Sequence, residues 1–384
     1  MATHRSADRV TGGALSMLGG MIVRAAGIGL ALALTVAACA PAAAPAPTAR
    51  ATAAAATTTV AAATAVPKPP KDKMQLPSVV STELNLASLV AYAKDYFGEE
   101  NIEITDFVLG SSATFRAALI AKQFDFGLFA FVHNPIARIA GAPFKAVIAT
   151  YDREIFSLLV RSPLKDKVKT VADLKGMNVG ITAPGSGSWA MANVFLKKAG
   201  LTPDKDVNLV NLGGDTSVIY TALQSGKVDA ISSWEPITSR VLESGVGFPL
   251  VPIWDPKAHQ EWVGSDHALG FAVMTREDVI QSKPDLVKRM VGAHKKALDF
   301  IRASSAEVIA DTILKNAKTA EQFTGLDRPL VVKLIDRIRG GYGTGCLSRS
   351  GFKVEMDLAV AYGLAKQPIT FEEFGDTTWA GACP

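Results

Sequence analysis

The sequence predicts an α/β protein of two lobes with a cleft between them, and three observations carry that expectation. Residues 176–236 run as strand, Gly/Ser turn and helix three times in succession. The same alternation appears earlier, between residues 74 and 150. An apolar run at 271–275 then returns as a strand after the repeats have ended. Successive strand–turn–helix units build parallel sheets whose turns open on one edge. The late return gives one lobe two separate stretches of chain, expected as 74–164 with 269–384, and leaves 165–268 as the continuous second lobe. Two crossings join the lobes, and hinge closure around a small ligand is the expected motion.

The stretch that organises the chain begins at residues 179–182, a short β-branched run that ends in Pro184-Gly185. A periodic apolar segment follows, with Trp189, Val194, Phe195 and Leu196, so the turn Gly185-Ser186-Gly187-Ser188 opens a helix. Ser186 or Ser188 caps it, leaving first-turn N–H groups and the positive end of the helix dipole free for an anion or a strongly accepting oxygen. No Gly-Lys-Ser/Thr follows the glycines, which excludes a nucleotide P-loop. Gly200 and Pro203 stop this helix, and residues 207–211 form the next strand. The turn 213–217 carries Asp215 and Thr216 into a helix at 218–224. A third strand delivers Trp234-Glu235-Pro236. In open α/β sheets, ligands sit outside the carboxyl ends of the strands, where all these tips lie.

The remaining elements follow in order. Residues 74–81 read as the first strand, and 86–97 as a helix with Leu86, Leu89, Val90, Ala93 and Phe97 on one face. A strand at 102–109 leads through a small polar turn, with Ser111, Ser112 and Thr114, into a helix at 115–122. A strand at 125–131 exits at His133, a candidate cleft residue, and a short helix runs on to Ile139. Strands are expected at 144–150 and 154–161. After the return strand, a helix occupies 283–300 and the C-terminal part is mostly helical.

Composition narrows the function. The 384 residues, 48% hydrophobic, suit two or three domains with a large core. Forty basic residues face 36 acidic ones without a Lys/Arg cluster, so no nucleic-acid partner is expected. No His-x-x-His pattern suggests a metal, and nothing forms a nucleophile–base–orienter set, so neither cofactor nor catalysis is expected. At the N-terminus, Arg24 precedes an apolar run over 25–38 that is too short to span a membrane, so residues 1–38 read as a signal peptide. Its removal takes the net charge from +4 to +2. Residues 39–73, nearly all Ala, Thr and Pro up to residue 70, have too few large apolar groups for a core and read as a disordered tether. Cys346 and Cys383 remain to pair in an oxidising compartment or to stand as two thiols; without local His or Cys companions they are not a zinc site.

Two resemblances sharpen the reading. Val36-Ala37-Ala38-Cys39 resembles the lipobox of bacterial lipoproteins, with Val where Leu is usual, and implies lipidation of Cys39. Residues 171–180 with the turn at 184–188, residues 222–230, and Trp234-Glu235-Pro236 together resemble the substrate-binding proteins of the nitrate/sulfonate/taurine and thiamine-pyrimidine-precursor group of ABC importers. Residues 117–126 match a further motif of the group, with Gln123 in place of its usual Gly. The resemblance covers about 76–302 and implies a type II periplasmic-binding-protein fold, a small organic ligand between the lobes, and delivery to a permease and its ATPase. The expected setting is the extracytoplasmic face of a bacterial membrane, as a lipid-anchored monomer. Ser111, Ser112, Thr114, His133, Gly185, Ser186, Gly187, Ser188, Trp189, Asp215, Thr216, Trp234 and Glu235 are the expected ligand contacts. Trp234 and Trp189 would cover a flat or apolar ligand, and Glu235 would hold an amine or N–H edge, against the plainer readings of core packing and a hinge salt bridge. No Lys or Arg is expected at the turn tips. The ligand classes left open are sulfonate, aminopyrimidine and aromatic acid. The alternatives are a solute sensor for a membrane receptor and an enzyme like the thiamine-pyrimidine synthases, whose cysteine-rich motif this chain lacks.

Overall fold

The structure, a computed structural model, describes residues 70–78 and 81–383. The expected signal peptide, the lipobox at Cys39 and most of the expected tether lie outside the described residues.

Strand β1 (Asp72–Ser78) begins two residues inside the stretch expected as tether and pairs in parallel with β2 (Ile102–Leu109). Between them runs α1 (Thr82–Ala93), whose N-cap Ser81 accepts from Leu84 N. Helix α2 (Ser112–Ile120), capped by Ser111, leads to β3 (Phe126–Ala130), α3 (His133–Ile139) and β4 (Phe144–Tyr151). Each helix starts two to four residues before its apolar periodicity, because a polar cap and first turn carry no hydrophobic signal.

The second sheet holds β5 (Ser157–Arg161), β6 (Asn178–Ile181), β7 (Asn208–Asn211), β8 (Ala230–Ser233) and β9 (Gly247–Val251) in the order β7-β6-β8-β5-β9. Strands β6, β7 and β8 are parallel, as three repeated units require, and are linked by α4 (Gly187–Lys198) and α5 (Thr216–Gln224). Helix α6 (Ile237–Glu243) follows β8. Strand β5 corrects the expected lobe boundary: its residues were assigned to the first lobe, yet they run antiparallel to β8 and β9 in the second sheet. A continuously apolar run fits the middle of either sheet, so composition alone does not choose. The chain therefore crosses between the lobes before Ser157. Strand β9, unanticipated in the sequence, tolerates Pro249 because it is an edge strand.

The return strand β10 (Phe271–Arg276) lies between β3 and β4, antiparallel to both, so the last strand of the chain is central in the first lobe. Helices α7 (Pro284–Ala303), α8 (Ala306–Lys315), α9 (Arg328–Ile338) and α10 (Arg349–Ala361) complete that side. Phe352 of α10 packs with Phe131 and Phe374, the last two stacked 4.7 Å apart, which fastens the C-terminal part to the first lobe's core. Among the described residues no helix is long and apolar enough to cross a membrane.

Cys346 and Cys383 form a disulfide with a Cα–Cα distance of 5.1 Å. It closes a loop across 37 residues of separation around α10. On loop-entropy grounds, Cys346→Ser should lower the unfolding free energy by about 3–4 kcal/mol. Urea unfolding of the variant against the wild-type protein reads that loss directly.

Candidate functional site

Three helix N-termini converge on one small space between the lobes. Its lining includes Ser81, the cap of α1; Ser112, the first residue of α2; and Ser186, the cap of α4. Thr182 and Ser188 add hydroxyls, while Trp234, Phe156 and Phe271 supply apolar walls. The expectation that Ser186 or Ser188 caps α4 resolves cleanly: Ser186 accepts from Trp189 N at 3.2 Å. Ser188 instead accepts from Thr182 N at 3.0 Å, and its hydroxyl joins those of Thr182 and Ser186 in a chain. Gly187 is required by the approach of the first lobe, since a Cβ there would lie 2.6 Å from Phe156 Cε2 and 3.2 Å from Ala130 Cβ. Gly214 serves similarly, since a Cβ there would lie 3.0 Å from the Gly110 carbonyl oxygen across the cleft. The space measures about 20 Å³, room for about one water.

A cation stands at this turn after all. Arg116 of α2 donates from Nη1 to the Gly185 carbonyl oxygen at 3.0 Å, one lobe to the other. The same Nη1 donates to His133 Nδ1 at 2.9 Å, so the His133 ring carries its proton on Nε2. Burial, and then the Arg116 charge, hold the His133 pKa well below its ordinary value, so the ring is neutral. Its buried Nε2 has no partner in the structure. Both partners of Arg116 are neutral, and among the described residues it forms no ion pair. This arginine was missed because it sits one helical turn after Ser112, inside what reads as an amphipathic helix. Its spacing of four from Ser112, which returns to the same helix face, was the available signal.

Glu235 does not face the ligand space. It is 2% exposed and pairs with Arg337 Nη1 of α9 at 2.7 Å. Its Oε2 accepts from Ser239 N at 2.9 Å and its Oε1 from Ser239 Oγ at 3.0 Å. Glu83 of α1 lies alongside and accepts the Glu235 backbone N–H at 2.8 Å. Burial, and then the Glu235 charge, push Glu83 well above the usual carboxylate range. Burial also raises Glu235, opposed chiefly by Arg337. The amine-binding role expected for Glu235 therefore gives way to an interlobe ion pair whose partner lies 102 residues away.

The other expected contacts divide. Ser112, Ser186, Gly187, Ser188 and Trp234 line the space, and Trp234 meets Phe156 edge-on at 5.8 Å. Gly185 meets Arg116 at its rim. Ser111 is spent capping α2 through Thr114, which is exposed. Asp215 caps α5 by accepting from Ser217 N and Val218 N, with Thr216 beside it. Asp215, Thr216, Thr114 and the half-buried Trp189 are not brought to the lining.

Comparison with known proteins now adds the family. Residues 85–307 match the family described as NMT1/THI5 like. The chain belongs to that family. A Brucella abortus (strain 2308) protein, named as a binding protein, is 26% identical over 321 residues, covering 78% of this chain and 92% of its own. Among solved structures, a Bordetella bronchiseptica RB50 protein superposes with a TM-score of 0.70 at 23% identity, covering 81% of this chain and 96% of its own. The alkanesulfonate-binding protein SsuA of Xanthomonas axonopodis pv. citri, bound to MOPS, gives 0.61 at 20% identity, with 79% and 96% covered. The fold is that of the type II periplasmic binding proteins.

Removing Arg337 tests the reassignment of Glu235. Arg337→Ala leaves a buried carboxylate without its cation and should destabilise the protein by about 3–5 kcal/mol. Arg337→Ala with Glu235→Gln should recover much of that loss in denaturant unfolding. A deficit that persists undiminished in the double variant would mean that packing, rather than charge, is what Arg337 contributes.

Proposed function

We propose that this protein captures a small organic anion, of the sulfonate or aromatic carboxylate class, by closure of its two lobes and delivers it to an ABC importer. The observation that carries the reading is the single space lined from both lobes by hydroxyls and helix N-termini, with Arg116 unpaired by any acid at its rim. Helix N-termini and neutral donors favour an acceptor-rich head group. A guanidinium with neutral partners favours one that carries a full negative charge. The aminopyrimidine class loses support because Glu235, its expected acceptor, is committed to Arg337. Trp234, Phe156 and Phe271 suit an apolar body attached to that head group. With room for only about one water in the closed form, a solute enters when the lobes part and is enclosed when they shut.

The family supports transport more than chemistry, and delivery to a permease and its ATPase is the partner reading. In this reading a lipidated Cys39 and the stretch to residue 73 hold the two lobes at the extracytoplasmic face as a monomer.

A thermal-shift panel of alkanesulfonates, aromatic and aliphatic carboxylates, aminopyrimidines and nitrate tests the proposal on ligand-stripped protein. A true ligand at 100 times its dissociation constant adds about 2.7 kcal/mol. Organic anions should raise the midpoint and aminopyrimidines should not. Arg116→Gln should weaken anion binding at least about tenfold, the scale of one lost charge-assisted hydrogen bond. Gly187→Ala, which drives a methyl against Phe156, should weaken binding through obstructed closure. No shift from any anion would refute the reading.

A further inference from the structure

A second small space adjoins the first, sharing Phe156 and Gly187 with it, and two acids line it. Glu154 stands in the crossing between β4 and β5, and Glu355 on α10. Both are 6% exposed, and both line this one space. Glu154 Oε2 and Glu355 Oε1 have no donor in the structure. Two carboxyls buried around one small space whose lining holds no cation disfavour two full negative charges, so the pair favours at least one proton. The space of about 20 Å³ admits a water but no organic ammonium. A proton is the cation that fits.

The lid over the pair comes from the other lobe. Gly187, Ala190, Met191 and Val194 of α4 close the space, and none can ionise. From the first lobe, Ala130, Phe131 and Val132 face it without charge. On the far side of Glu154 lie Glu83, Glu235, Arg337 and Tyr151. Glu83 already receives the Glu235 N–H and the Ser81 hydroxyl, and Glu235 holds Arg337. His259 accepts the Glu154 backbone N–H through Nε2, and burial lowers its pKa, so it stays neutral near pH 7. Asp152 and Arg153 precede Glu154 in the crossing, and His267 lies 3.7 Å from Asp152.

We propose that Glu154 and Glu355 form a proton-linked clasp, in which closing the lobes takes up a proton at this pair and opening releases it. When α4 lifts away, water reaches both carboxyls and each returns toward its ordinary range near 4.5. In the closed form, burial holds Glu154 up to about 7. Glu355 is pushed well above its usual range by burial and by the Glu154 charge. The sign follows: the closed form binds the extra proton, so closure loses ground as pH rises above about 4.5. The open-to-closed ratio should climb by about tenfold per pH unit for each proton released. A solute held by the lobes would then be retained in acid and let go as pH rises. The device rests on lobe closure and not on which ligand is bound.

Nitroxide labels read the lobe separation in ligand-free protein by pulsed electron resonance. They are placed at the exposed positions Ala117 on α2 and Val218 on α5, in a Cys39→Ala background. The population at the longer distance should rise relative to the shorter one by at least about tenfold per pH unit between pH 5.5 and 7. In Glu355→Gln or Glu154→Gln the remaining acid stays buried, so the slope should fall, and in Glu154→Gln with Glu355→Gln it should vanish; either single variant stands in if the other does not fold. A flat wild-type profile overturns the clasp. So does a slope undiminished in both single variants or surviving in the double one, or one lost only in Glu83→Gln, which would put the proton on the other buried acid. Since no ligand is present, failure here leaves the proposed anion binding intact, and failure of the ligand panel leaves the clasp intact.

Discussion

The interface between the lobes depends on how buried negative charge is neutralised. Glu83 and Glu235 are both almost fully buried there, and among the described residues Arg337 is the one cation paired with either. A lone carboxylate in such a place would cost several kcal/mol of desolvation, more than its hydrogen bonds return. Two devices resolve this. Arg337 and Ser239 satisfy Glu235, while burial holds Glu83 above its usual range and its carboxyl accepts the Glu235 backbone N–H and the Ser81 hydroxyl. The Tyr342 hydroxyl, 3.1 Å from the carbonyl oxygens of Thr82 and Glu83, locks the start of α1 to the same cluster. Lobe 1, lobe 2 and the C-terminal helices meet here, and each supplies a group the others lack.

That arrangement separates charge across the cleft. On one side lie three helix N-termini, a chain of hydroxyls and Arg116, all of which favour negative charge. On the other lie Glu154 and Glu355, with Glu83 and Glu235 beyond. Phe156 borders both spaces, and its ring packs with Phe271 at 6.2 Å and Trp234 at 5.8 Å. The aromatic residues that first suggest a stacking surface for a ligand therefore also form part of the partition between the anion side and the acid side.

Much of the fold was legible because its signals are local. Residues 102–109 form β2 as expected, and the three parallel strands β6, β7 and β8 follow from units whose turns and periodicities sit within a few residues of each other. The site was legible where it depends on those turns: Ser112, Ser186, Gly187, Ser188 and Trp234 all reach the cleft. It failed where a side chain's partner is distant in sequence. Glu235 after a strand looks the same whether it awaits an amine or meets Arg337 on a helix about a hundred residues later. Arg116 reads as the solvated face of a helix until Gly185 of the other lobe closes over it. The placement of β5 failed for a related reason, since an apolar strand does not announce which sheet receives it.

The division of labour along the chain follows from the same geometry. The family match ends at residue 307, and most of the residues lining the anion side lie within it. Arg337, Tyr342, Glu355 and the Cys346–Cys383 disulfide all lie after it. These later groups touch no part of the lining with hydroxyls, yet they reach the second lobe on two sides. Arg337 and Lys333 bind Glu235 and Glu243 near α6, while Tyr362, just past α10, receives Lys197 of α4. In the proposed closure, contacts on both flanks of the second lobe would form and break together with it, so their free energies would enter the closing equilibrium rather than the affinity of the open site. Recognition can therefore change through the turns at Ser112 and Ser186 while the closing step is set independently by the C-terminal helices. A clasp built from two acids and one proton acts only on the second of these, leaving the chemistry that selects the ligand untouched.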